Sequence, residues 1–97
     1  MRLKSGAELI TRERRRQVVE EGWSEAHDEI YSQHELTRAA ICYAAPGLNR
    51  HSNIRYSWPA WPWDEEYWKP SDDPIKNLVR AGALIAAEID RIQRSAE

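Results

Sequence analysis

The chain has little of what would mark most chemistries. It holds one cysteine, Cys42, among 97 residues. No internal disulfide is open to it, which fits a reducing compartment, so a cytoplasmic location is expected. No run of about 18 apolar residues is present to span a bilayer, and the N-terminus lacks the apolar core of a signal peptide. No membrane partner is expected. An excess of positive charge is missing too, with 14 Lys and Arg against 16 Asp and Glu. Phosphate neutralisation supplies most of the affinity of a nucleic-acid binder, which therefore shows a basic balance or stripe. Only "TRERRR", Thr11 to Arg16, is locally basic, and an acidic stretch follows it. No nucleic-acid partner is expected.

The four glycines are scattered singly, so no glycine loop can grip a phosphate. No H-x-x-x-H pair occurs, and His27 and His34 stand seven apart across an expected loop. Glu25 and Asp28 are three apart in that loop, whereas Glu88 and Asp90 are two apart and face different sides of a helix, so the paired-acid pattern of helical nucleotide pyrophosphohydrolases is absent. Cys42 lies in an apolar segment with no histidine within a turn, and reads as a small hydrophobe. The sequence thus predicts no catalytic residue, no metal and no cofactor. One chemical alternative stays open in "EEGWSEAHDEIYSQHE", Glu20 to Glu35: a metal-assisted hydrolase of a small nucleotide using His27, Asp28, His34 and Glu35.

What is present reads as an all-α fold, a compact three-helix domain over residues 1–97. Ser5 and Glu8 have capping-box spacing and open a helix over about 7–21, which Gly22 ends. Its apolar face is thin, formed by Ile10, Val18 and Leu9, with Arg14 and Gln17 between them; Arg14 is expected to pack its stem inward or to meet an acid. Ser32 and Glu35 repeat the box before a helix over about 33–45, whose Ala39, Ala40 and Ala44 imply close approach to a neighbour. Asp72 or Asp73 caps a third helix over about 73–93, with Pro74 in its first turn. Ile75, Leu78, Val79, Gly82, Ile85, Ala86, Ile89 and Ile92 form its expected core stripe. Leu84 and Ala87 lie away from that stripe, so the third helix is apolar nearly all round. Either the Trp-rich loop folds across it or a second subunit does, and a homo-oligomer is expected.

The loop, about 46–72, is the most unusual feature. Trp58, Trp61, Trp63 and Trp68 fall within eleven positions, interrupted by Pro59 and Pro62. One reading has the rings complete the core, each burying on the order of 150–250 Å², with Trp23 joining them. The other has some rings stack on a flat ligand such as a nucleobase, with phosphates met by basic side chains. The expected ligand-binding residues are Arg12, Arg15, Arg16, Trp23, His27, Trp61, Trp63, Trp68 and Lys69.

In order, "RERRRQVVEEGW", "EAHDE", "ELTRAAICYA", "WPWDEEYWKPSDD" and "NLVRAGALIAAEIDR" resemble a family of short, mostly uncharacterised bacteriophage and prophage proteins. The likeness covers about Glu8 to Arg91 and departs from the pattern at Ala26-His27 and at Tyr67, where a second tryptophan is usual. An arginine-bearing helix ending in "GW", with His34 and Leu36 after a polar loop, is also similar to the RyR domain. The lack of a catalytic constellation favours a binding module over an enzyme, and with the phage likeness added the expected role is an accessory protein in the host cytoplasm that blunts host defence by capturing a small nucleotide-type signal. The alternative partner is a host protein, a defence enzyme inhibited through exposed aromatic hot spots.

Overall fold

In a computed structural model of the chain, which describes residues 4–24, 28–45 and 61–96, the capping signals translate into three helices. Helix α1 spans Gly6–Glu20, α2 spans Glu35–Ala44 and α3 spans Pro74–Ser95. A single 3-10 turn, Glu65–Tyr67, lies between α2 and α3, and no strand occurs among the described residues. The fold is an all-α three-helix domain.

Ser5 Oγ accepts from the Glu8 amide at 3.1 Å, which satisfies one of the free N–H groups at the start of α1. Gly22, with φ of +70°, turns the chain out of α1, and the Trp23 amide donates back to the Gln17 carbonyl at 3.0 Å. The start of α2 differs from the expected box. His34 occupies the N-cap in the left-handed region without a side-chain capping bond, and the Glu35 carboxylate accepts from the Gln33 amide instead. At α3 the Asp73 carboxylate accepts from the Ile75 amide at 2.9 Å, ahead of the tolerated Pro74.

Small residues set the packing. Ala39 and Ala40 of α2 and Ala81, Leu84 and Ala87 of α3 are fully buried together with Leu36 and Tyr43. Thr37 of α2 reaches Glu88 while Tyr43 lies beneath Arg80, so the two helices run antiparallel. Helix α1 meets α3 at Gly82, where an added Cβ would stand 2.5 Å from Ile10 Cδ1 and 2.8 Å from its Cγ1. Cys42 is buried, and burial pushes its thiol pKa up, which suits a packing role.

The faces of α3 are used in a way its periodicity did not disclose. The domain buries the side bearing Ala81, Leu84, Ala87 and the polar Asn77 and Glu88. Leu84 and Ala87 share one buried cluster with Leu36, Ala39, Ala40 and Tyr43 of α2, and Trp61, Trp63 and Trp68 pack against that cluster. The expected core stripe is instead left open: Ile75, Leu78, Ile85, Ile89 and Ile92 are between 49% and 59% exposed. The physical reason is volume. Alanine and glycine faces let two helices approach closely, whereas a row of isoleucines would hold them apart.

A buried ion pair ties α1 to the following loop. Arg14 Nη2 lies 2.8 Å from Oδ2 of Asp28, which is wholly buried. Of the two expectations for Arg14, an inward-packed stem or a contact with an acid, the structure shows the contact, with Asp28 as the acid.

Two stability experiments follow. Arg14→Leu strips the Asp28 carboxylate of its guanidinium and should cost about 3–5 kcal/mol in urea denaturation. Gly82→Val drives two γ carbons into Ile10 and should cost about 1–3 kcal/mol, with part of the loss restored when Ile10→Ala is added.

Candidate ligand site

The C-terminal part of the Trp-rich loop is held to α3 by polar staples. Asn77 Oδ1 accepts from the Ser71 amide and its Nδ2 donates to the Ser71 carbonyl, both at 2.8 Å. One buried side-chain amide thus pairs with a backbone unit as a neighbouring strand would. Three residues on, Arg80 Nη1 donates to the Lys69 carbonyl at 2.8 Å, and its guanidinium carbon stands 5.5 Å from the centroid of the Tyr43 ring. These contacts fix Trp68, whose ring lies 4.9 Å from those of both Tyr43 and Trp61.

From Trp61 the aromatic chain continues outward. Trp61 and Trp63 meet edge to face at 5.2 Å, and Trp63 meets Tyr31 at 5.3 Å. Each of these ring pairs is tilted or edge-on, the arrangement that ring quadrupoles favour over a face-to-face sandwich. Trp61 Nε1 donates to the Asp64 carbonyl at 3.0 Å, which closes the turn carrying both rings.

Between this chain of rings and α1 lies a cleft of about 750 Å³, within the range of small-molecule sites. Trp23, Tyr31, Tyr43, Trp61, Trp63 and Tyr67 supply its aromatic wall, and Leu36 and Leu84 its floor. Gln17 and Trp63 give it chemistry. Gln17 Oε1 and Trp63 Nε1 are both buried and have no hydrogen-bond partner among the described residues. The Gln17 amide is oriented by Glu13, whose carboxylate accepts from Nε2 at 3.4 Å; the reverse orientation would set two acceptors against each other. An unpaired buried polar atom costs about 1–3 kcal/mol, so one acceptor and one donor in a single aromatic cleft call for a ligand that satisfies them.

The charges around the cleft are balanced, with Arg16, Lys69 and Arg80 facing Glu13, Glu21 and Asp64. Arg16 is spent on its own neighbours: Nε and Nη2 grip both Glu13 oxygens at 2.7 and 2.8 Å, and Nη1 holds Glu21 at 2.9 Å. Burial raises the Glu13 pKa, but the bonds from Arg16 and Gln17 and the charge of Arg80 outweigh it and leave the carboxyl below its usual range. Lys69 makes no ion pair among the described residues.

Of the expected binding residues, the structure brings Arg16, Trp23, Trp61, Trp63 and Lys69 to the cleft. Trp68 stands behind Trp61 and Tyr43 as a support. Arg12 and Arg15 are exposed on α1 and do not line the cleft. His27 lies outside the described residues, as does Trp58. Gln17, Tyr31, Tyr43 and Arg80 were not anticipated. Gln17 was within reach, since a polar residue seven positions after Ile10 falls on the inward face of α1.

For the hydrolase alternative, no group of three or more metal-ligating side chains converges among the described residues. Asp28 faces Arg14, and Glu35 accepts from the backbone of Gln33. Among the described residues no helix is long and apolar enough to cross a membrane.

The Glu13 geometry predicts an acid-dependent loss of stability. A carboxyl held below 4.5 when folded contributes stability that is complete above that pH and lost as pH falls through the folded value. Unfolding free energies measured from about pH 6 down to pH 3 should fall less steeply for Glu13→Gln than for the parent chain.

Comparison of the chain with protein-family models, with curated proteins and with solved structures finds no match.

Proposed function

We propose that the protein is a non-enzymatic binding module whose aromatic cleft takes the base of a nucleotide-type ligand. The observation that carries this reading is the pairing of one unsatisfied acceptor, Gln17 Oε1, with one unsatisfied donor, Trp63 Nε1, beside the same ring-lined cleft. A planar heterocycle presents donors and acceptors on its edge and a π face to each ring, and stacking on aromatic side chains contributes about 1–3 kcal/mol per base.

The phosphate end of such a ligand has a more modest reception than the arginine run suggested. Arg16 is held by two glutamates, which leaves Lys69 and Arg80 as the cations for an anionic tail. The base therefore supplies recognition, and the phosphate adds to it from the edge. The likeness to phage proteins supports the use: an accessory protein that sequesters a nucleotide signal of host defence.

Thermal shift against a panel of bases, nucleosides and cyclic and linear nucleotides tests this. At least one compound carrying a base should raise the melting temperature. Gln17→Leu and Trp63→Phe should each weaken its binding roughly tenfold, the worth of about 1–1.5 kcal/mol. Lys69→Ala should weaken phosphorylated compounds only. No shift with any of the panel contradicts the reading.

A further inference from the structure

Arg16 and Gln17 follow Glu13 at three and four positions on α1, the spacing that puts side chains on one face of a helix. The three form a chain of hydrogen bonds with a fixed sense. Arg16 can only donate, and it holds both oxygens of Glu13, Nε to Oε1 at 2.7 Å and Nη2 to Oε2 at 2.8 Å. Its other terminal nitrogen, Nη1, is tied to Glu21 at 2.9 Å, so the guanidinium is fixed from two sides. Glu13, ionised at neutral pH, can only accept. The Gln17 amide is the one member that could face either way, and Glu13 removes the choice: Nε2 turns to the carboxylate at 3.4 Å, and Oε1 is left as the end of the chain. Gln17 is 2% exposed and lines the cleft.

We propose that Glu13 is a positioning residue that sets the hydrogen-bonding sense of the cleft, so that the base taken there is one that presents an N–H donor to Gln17 Oε1. This deepens the nucleotide-base reading and rests on it. The class of ligand narrows to heterocycles that carry an amino group or a ring N–H on the edge turned to Gln17, with an acceptor for the Trp63 indole elsewhere on the ring. A heterocycle of the same outline with only acceptors on that edge sets a lone pair against Oε1 and leaves it buried and unpaired. Rejection on that ground is far stronger than an apolar pocket achieves by shape, because the protein's own polar atom is left without a partner. The two tasks of the cleft are thus divided. The rings accept any π face, and Gln17 reads the edge.

The sense of the chain depends on Glu13 accepting through both oxygens. Glu13→Gln puts an amide in its place, which can accept from Gln17 Nε2 or donate to Gln17 Oε1. Both orientations of Gln17 are then satisfied, and the preference for a donor is lost.

Isothermal titration with nucleosides that differ at one N–H tests this: adenosine against purine riboside, cytidine against its 4-deamino analogue, guanosine against inosine and 1-methylguanosine, and uridine against 3-methyluridine. For a base that binds, loss of the donor should weaken binding at least about tenfold, the effect of a buried acceptor left unpaired. Glu13→Gln and Gln17→Leu should each bring that ratio below about threefold, since neither presents a fixed acceptor. A Glu13 that only supported the fold would weaken both members of a pair and leave their ratio unchanged. A second measurement needs no ligand. In the free protein, acid titration followed by nuclear magnetic resonance should move both side-chain amide hydrogens of Gln17 in one step, as Glu13 takes up its proton. Glu21 and Asp64 are the other carboxyls lining the cleft, and the step should survive Glu21→Gln and Asp64→Asn but not Glu13→Gln. Absence of that step, equal binding within every pair, or a donor preference that survives Glu13→Gln overturns the proposal and leaves the base reading standing. Silence from all the nucleosides removes the base reading and this proposal with it.

Discussion

Close helix approach through small side chains is the constraint on which the rest of the structure depends. Ala39, Ala40, Ala81 and Ala87 are fully buried where α2 meets α3, and Gly82 admits α1. Such contacts give good packing but little apolar area. A buried tryptophan removes about 150–250 Å² from water, worth roughly 4–6 kcal/mol before entropy is counted, several times what an alanine supplies. The Trp-rich segment is therefore less an appendage than the lid that a thin three-helix core needs. Its rings pack on Tyr43 and Leu84 because that is the side the helices leave uncovered.

An irregular segment can serve this way only if its backbone is satisfied. Asn77 supplies both a donor and an acceptor to Ser71, Arg80 donates to Lys69, and Trp61 donates to Asp64 within the turn. With these bonds made, Trp61 and Trp68 are anchored and their burial is structural. Trp63 is different. Its ring is packed, but its indole N–H is buried and unpaired among the described residues, as is the carbonyl of Gln17 in the lining of the same cleft. Packing thus accounts for the carbon of the cluster and leaves two polar atoms over, and those two atoms define the chemistry of the candidate site.

Much of the helical framework was legible in the sequence because it is locally determined. Ser5, Asp73, Pro74 and Gly22 act within a few residues of themselves, and Arg14 beside Gln17 on a thin apolar face announced a buried polar contact. What was not legible is non-local. Periodicity found the isoleucine row of α3 but could not tell a face buried by the domain from one presented outward, since a nearly all-round apolar helix satisfies both. The placing of Trp68 depends on bonds from Asn77 to Ser71 and from Arg80 to the Lys69 carbonyl, made by residues that lie after the loop in the chain and carry no local signature. The arginine run of α1 looked available for phosphate because nothing in the sequence shows that Glu13 and Glu21 bind Arg16.

The central claim, that Trp63 is the one anchored ring whose polar atom is held for a ligand, is tested most directly by nuclear magnetic resonance of the tryptophan indole N–H groups. In the free protein the Trp61 resonance should lie downfield and exchange slowly, as its bond to the Asp64 carbonyl requires, while the Trp63 resonance should lack that downfield shift. On titration with a stabilising base-bearing compound, Trp63 should move downfield and Trp61 and Trp68 should hold their positions. A Trp63 indole that is already hydrogen-bonded in the free protein, or that does not respond while another ring does, contradicts the account.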